Sequence, residues 1–279
     1  MGLPAEIRAA LRRRQSDLDR VGSRTASALV GLRDELRDAL LDLLDREGAG
    51  DWRAGILATQ LDEIAAAVRE MTGEIQDRWL DGLEDIERAT PEYLRSVGLD
   101  PDSAVDVEAL TAVIDAARRD ARDAFRGIGL TTATELMPLL REGYRLETLT
   151  ELSARLSERL GISLERAGTE ARTQTAVYAR AVGNAWADEA PTSVGYAYGG
   201  PDDGLTRPFC EACVDRWFSR ELAAKLDNDV AGLPHPLDSG GGYNCRHSWL
   251  AVPFSVAARW GYKEATEATV RAANAAARG

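Results

Sequence analysis

Histidine is almost absent from this chain, with two residues in 279, and there are only three cysteines, three methionines and 6% aromatics. An odd, small number of cysteines argues against a secreted disulfide framework. No apolar run approaches the ~20 residues that span a bilayer, so no membrane segment is expected. The N-terminal stretch lacks the apolar core of a signal peptide, and folding in the cytoplasm is the expectation. Basic charge is also short: 34 lysines and arginines stand against 46 aspartates and glutamates, a net charge of −12. Nonspecific DNA binding needs a basic face to neutralise phosphate, so any DNA contact here has to be local or indirect.

What is present points to helix. A hydrophobic content of 44% excludes global disorder, and Ala, Leu, Arg, Glu and Asp dominate the rest. The length suggests one large domain or two unequal ones. The expected fold class is mainly α: a long N-terminal helical hairpin, a helical middle, and a small α+β C-terminal module.

Residues 1–90 read as the hairpin, or arm. Leu11, Leu18, Thr25, Leu32 and Ala39 repeat every seven positions, with Leu29, Leu36 and Leu43 as a companion row. Two apolar positions per heptad make one narrow seam, suited to a partner helix. Gly48-Ala49-Gly50-Asp51 breaks the run, and a second helix carries Leu57, Leu61, Ile64, Val68, Met71, Ile75, Trp79, Leu83 and Ile86. The two seams either bury each other or offer a docking surface to another protein's helices. Arginines at 8, 12, 13, 14 and 20 read as a solvated helix face.

Residues 91–190 read as a domain of shorter helices. Thr90-Pro91 has the pattern of a helix start, and Gly98 that of a stop. A turn at Pro101–Ala104, glycines 127 and 129, a kink at Met137-Pro138 and a stop at Leu160-Gly161 divide the stretch. Ser163 to about Ala190 then reads as one helix with small, close-packing residues.

Residues 191–279 form the third part. Residues 192–198 alternate small and aromatic side chains and predict a strand. Val214–Leu226 suggests a short helix, Val230–Gly242 an irregular loop, Arg246–Val252 a returning strand, and Ser255–Arg278 a closing helix. Every cysteine (Cys210, Cys213, Cys245) and both histidines (His235, His247) fall within 38 consecutive residues. A thiolate–imidazole metal site produces such clustering, because its ligands must be together. Cys210 and Cys213 are spaced to chelate one ion from a tight turn, and Cys245 and His247, two apart, project to one face of a strand. Tetrahedral zinc would take Cys210, Cys213, Cys245 and either His235 or His247, filling all positions with protein ligands, which makes the ion a structural staple.

The order of residues also carries a resemblance. Glu170-Ala171-Arg172-Thr173-Gln174 on a helix precedes a strand, then Asp203, Thr206 and Cys210-x-x-Cys213. Pro234-His235-Pro236 and Asn244-Cys245-Arg246-His247 follow. The series resembles the tailed-phage minor head, or head-morphogenesis, proteins of the phage Mu F-like family over about residues 165–252. Gln174 stands where a glutamate is usual, two extra residues separate Thr206 from Cys210, and His247 replaces a cysteine while keeping a metal ligand. The resemblance implies a non-catalytic virion component in the head interior or at the portal vertex, present in the host cytoplasm during assembly. Its partners would be the portal protein and other head proteins, with multiple copies around the portal. It would assist head assembly or DNA delivery, with at most indirect contact to packaged DNA.

Other chemistries use similar residues. A His-Asn-His metal-dependent nuclease would place His235, Asn244 and His247 in order, but Pro234 occupies the position of the usual acidic neighbour and no basic surface is evident. A zinc deaminase needs a His-x-Glu upstream of Pro208-Phe209-Cys210-x-x-Cys213, and no histidine precedes Cys210. A zinc-stapled adaptor of another assembly differs from the phage reading only in its partner.

Overall fold

The computed structural model describes residues 5–46, 56–96, 108, 111–120, 122–123, 149–188 and 194–278. These residues are mainly helical, followed by a small sheet module at the C-terminal end. Three long helices, α1 (Ala5–Arg46), α2 (Ile56–Ser96) and α3 (Leu149–Asp188), are described together with a shorter helical stretch over 111–120, between α2 and α3 in sequence. The expected break at 48–51, the stop at Gly98, the turn at 101–104, the glycines 127 and 129 and the Met137-Pro138 kink lie outside the described residues.

Two expected helix boundaries do not occur. Pro91 sits inside α2 instead of opening a new helix. The apolar stripe through Trp79, Leu83 and Ile86 continues to buried Tyr93 and Leu94, and that burial outweighs the hydrogen bond proline cannot make. The Thr90 hydroxyl donates to the Ile86 carbonyl at 2.8 Å in the same turn. Gly161 likewise lies within α3, whose single helix runs through the expected stop. An isolated glycine costs a helix only about 1 kcal/mol, which the flanking turns absorb.

The chain divides into two compact units. One comprises Val21–Asp81 and Arg122–Arg172. Its buried residues include Val21, Thr25, Leu29 and Leu32 of α1, Ile75 and Trp79 of α2, and Ala171 of α3. Thr25, Leu29 and Leu32 thus occupy the seam read from the heptads, while the side chains of Leu11, Leu36, Ala39 and Leu43 lie outside the described set. Small residues let α1 and α3 approach in antiparallel register: a Cβ placed at Gly168 would lie 3.4 Å from that of Ala26, and one at Gly22 would lie 3.1 Å from Cγ of Arg172.

The other unit comprises Met1–Arg20, Gly82–Ala121 and Thr173–Gly279. Its sheet has four strands in the order β3–β1–β2–β4: β1 (Val194–Gly199), β2 (Arg216–Phe218), β3 (Ser248–Pro253) and β4 (Lys263–Glu264). β1 pairs antiparallel with β3, setting Tyr198 opposite Trp249, and with β2, setting Tyr196 opposite Phe218; β2 and β4 are parallel. The helices around it are α4 (Pro208–Cys213), α5 (Arg220–Ala223), α6 (Pro236–Ser239), α7 (Phe254–Arg259) and α8 (Glu267–Arg278). Alternation along the strands buries both faces. Tyr196, Tyr198, Phe218 and Trp249 join a core with Phe209, Val270 and Ala273, whereas Ala197, Trp217, Leu250 and Val252 meet Tyr93, Leu94 and Trp260 on the reverse side.

Two C-terminal expectations need correction. The helix expected over Val214–Leu226 is instead β2 followed by the short α5. Asp215, at φ 59°, turns the chain, after which Trp217 and Phe218 point to opposite buried faces in register with β1. The single closing helix is instead α7, the exposed β4 and α8. Gly261 adopts φ 93°, a left-handed conformation that stops α7 and lets the Lys263 amide reach the Asp215 carbonyl at 3.0 Å.

Candidate metal centre

The CxxC pair folds as α4, with Pro208 at the helix start, where its missing N–H costs nothing. Cys210 is thereby turned inward beneath β1. The second half of the site comes from the segment just before β3. Cys245 and His247 precede the strand, and both are buried. The candidate ligand atoms of Cys210, Cys245 and His247 all lie within 4.8 Å of one another. The two sulfurs are 3.8 Å apart, and the Cys245 sulfur is 3.9 Å from Nδ1 of His247. These three side chains can hold a metal ion. Zinc–sulfur bonds of about 2.3 Å at a tetrahedral angle put two sulfurs about 3.8 Å apart, so the spacing fits a shared ion and is too long for a disulfide.

The remaining sequence-expected ligands stand apart from this group. Cys213 is fully buried in the core of the module and does not join the three ligand atoms. The pair sits in one short helix, and Cys213 packs into the apolar core of the module. His235 is exposed and caps α6, its Nδ1 accepting from the Leu237 amide at 3.2 Å. Two proline neighbours and this cap hold the imidazole at the surface.

The loop reaches the site by hydrogen bonds from one face of α3. Arg180 donates to the carbonyls of Asp238 (3.1 Å), Cys245 (3.0 Å) and His247 (2.7 Å). Asn184, one turn further on, donates to the Leu237 carbonyl and the Asp238 carboxylate at 3.1 and 2.8 Å. The Thr173 hydroxyl accepts from the Asn244 amide at 3.0 Å. Positions 173, 180 and 184 recur at helical spacing, so one side of α3 templates the loop. Asn228 adds bonds to Ser239 and to the Gly240 carbonyl at 2.9 and 2.8 Å.

Backbone closes over the sulfurs. A Cβ at Gly241 would fall 2.1 Å from the Cys210 sulfur, and one at Gly200 would fall 2.4 Å from Cδ2 of His247. The Gly241 amide donates to the Cys245 sulfur at 3.1 Å. The hydrogen bond with Cys210 pushes the Cys245 thiol strongly down, against its burial, with further help from His247 and Arg180. The same contact, together with burial, pushes Cys210 up. Two sulfurs and an imidazole gathered this closely are a donor set suited to a soft cation. Burial alone accounts for most of the rise of Cys213 to about 12. Next to the group, Tyr198 lies parallel to the His247 ring, with centroids 5.3 Å apart.

On the surface above, Arg246 forms a two-pronged ion pair with Asp203, at 2.6 and 2.8 Å. The hydrogen bond from Arg246 and the Leu205 amide hold the Asp203 carboxyl down at about 2. Thr206 closes the same turn, accepting from the Asp203 amide at 2.9 Å and donating to the Pro201 carbonyl at 2.9 Å.

Arg180, Asn184 and Tyr198 were not legible as site residues. The available signal was an arginine and an asparagine set among the small apolar residues of Ala179-Arg180-Ala181-Val182-Gly183-Asn184-Ala185, where a charge has to find buried partners. No family model, no curated protein and no solved structure matches this chain.

Proposed function

We propose that this chain is a non-catalytic, portal-associated minor head protein of a tailed phage, whose C-terminal module is braced by one zinc ion. The observation that carries the reading is spatial. Residues of the ordered series that resembles minor head proteins, spread from Asp203 to His247, meet in one place: Asp203 with Arg246, and Cys210 with Cys245 and His247. Two sulfurs and an imidazole select zinc over the hard cations, which prefer oxygen. Burial of all three ligands under glycine backbone leaves the ion a bracing part, holding the loop before β3 to α4 across 35 residues of sequence. The nuclease reading draws less support, because His235 lies exposed, away from the group.

In this reading the long helices α1 and α2 supply the surface for the portal protein and other head proteins. Several copies surround the portal, and packaged DNA is touched indirectly at most. Two measurements test it. Elemental analysis of the full chain should find one zinc per molecule, and plasmid DNA should stay intact with magnesium, manganese or zinc. Metal-dependent nicking that disappears on His235→Ala would replace this reading with the nuclease. Co-expression with the portal protein of the same genome should yield a complex; a full chain that never associates with portal rings removes the phage assignment and leaves the adaptor.

A further inference from the structure

We propose that Tyr198 is the fourth ligand of the metal site, its phenolate oxygen completing a two-sulfur, one-nitrogen, one-oxygen set with Cys210, Cys245 and His247. The inference rests on the metal reading above and names what that reading leaves open. Tyr198 is fully buried in β1, and its hydroxyl oxygen lies 3.3 Å from the Cys210 sulfur and 3.6 Å from the Cys245 sulfur. Around a tetrahedral zinc, with zinc–sulfur distances of about 2.3 Å and zinc–oxygen distances of about 2.0–2.2 Å, sulfur and oxygen ligands stand about 3.5–3.7 Å apart. The distance to Cys245 falls in that range, that to Cys210 is slightly shorter, and the sulfurs themselves are 3.8 Å apart. The Tyr198 hydroxyl, which donates to the Cys210 sulfur in the metal-free site, is therefore within reach of an ion shared by the two sulfurs.

The competing donors are worse placed. Cys213 is buried nearby but outside the group, and His235 is exposed and committed to the Leu237 amide. A water ligand would need room, and the backbone at Gly241 and Gly200 already presses against Cys210 and His247. The ring of Tyr198 is also held in place, stacked on His247 at an interplanar angle of 8° and against Trp249 with centroids 4.3 Å apart.

Binding balances as follows. A hydrated zinc ion sheds its waters, the S–H bonds of Cys210 and Cys245 and the Tyr198 O–H bond break, and the three protons pass to buffer. Bonds form from zinc to two sulfurs, one neutral imidazole nitrogen and one phenolate oxygen, giving the site one net negative charge. The Arg180 guanidinium, bonded to the carbonyls of Cys245 and His247, faces that charge. A free phenol with a pKa of about 10 is neutral at pH 7, so ionisation on metal uptake is a direct signature.

The test titrates zinc into the metal-free full chain and follows the near-ultraviolet difference band of tyrosinate, with zinc content measured in parallel. Wild type should gain one tyrosinate per zinc bound. Tyr198→Phe should gain none and lose at least roughly tenfold in zinc affinity against a competing chelator, while Cys213→Ala should keep both the band and the stoichiometry. Zinc uptake by wild type without a tyrosinate band overturns the Tyr198 assignment and leaves the metal site standing. So does a Cys213→Ala chain that no longer holds zinc. A wild-type chain that takes up no zinc at all removes both inferences together. The wild-type band and the Cys213→Ala arm decide the question even if Tyr198→Phe fails to fold.

Discussion

Arg180 on α3 reaches the backbone of His247, donating to its carbonyl at 2.7 Å, and the same terminal nitrogen also reaches the Cys245 carbonyl at 3.0 Å. One guanidinium thus fixes the spacing of two candidate metal ligands through their main chain, leaving their side chains free to meet Cys210. Arginine suits the task because its planar fork serves several acceptors at once.

Replacing Arg180 by Met should therefore destabilise the module by about 2–4 kcal/mol, since two buried carbonyls and one half-buried carbonyl lose a charged donor. Arg180→Lys should recover only part of this, as an ammonium cannot span the fork. Denaturant melts of the full chain with tryptophan fluorescence check the order. Equal stability of all three proteins would show that the clasp contributes nothing.

Gly241→Ala places a methyl group 2.1 Å from the Cys210 sulfur and has to move one of them. The cost of such overpacking is about 1–3 kcal/mol. We expect zinc retention to fall roughly tenfold in chelator competition, with the helical signal in circular dichroism unchanged. Wild-type retention in this variant would mean that the sulfur lies elsewhere in solution.

Cys213 should behave as an inert thiol. Burial raises it to about 12, so almost no thiolate exists at pH 8. Mass spectrometry after brief alkylation should leave Cys213 unmodified in the folded protein and label it only under denaturant. Rapid labelling would show that α4 opens readily.

The Asp203–Arg246 pair gives a pH dependence of known sign. Its carboxyl is held at about 2, below the ordinary value of about 3.9, so the link stabilises the turn above about pH 4 and is lost as pH falls towards 2. Because the pair is exposed, high salt should weaken it as well. Nuclear magnetic resonance titration of the Asp203 carboxyl reads this directly, with a midpoint near 4 as the contrary result; Arg246→Ala should raise the midpoint part of the way, since the Leu205 amide still donates to the carboxylate.

The sequence exposed some of this architecture and hid the rest for identifiable reasons. The seam at Thr25, Leu29 and Leu32 was visible because helical burial repeats at short range. The strand around Tyr196 and Tyr198 was visible through its alternation. Cys210, Cys245 and His247 stand out by clustering alone, whereas the position of Cys213 outside their group depends on tertiary packing that spacing does not carry. Pro91 and Gly161 misled because local propensity is worth about 1–3 kcal/mol, less than long-range burial supplies. Arg180 was invisible as a site residue because its partners are carbonyls, and a carbonyl carries no residue type to read; the most distant lies 67 positions away.

The sheet finishes on Lys263 and Glu264, two exposed charged residues in the two-residue strand β4. A border this brief and this charged is a poor template for strand addition by a neighbouring molecule. Copies crowded side by side would be kept from fusing into fibres along that border, and contact between them would be left to their side chains.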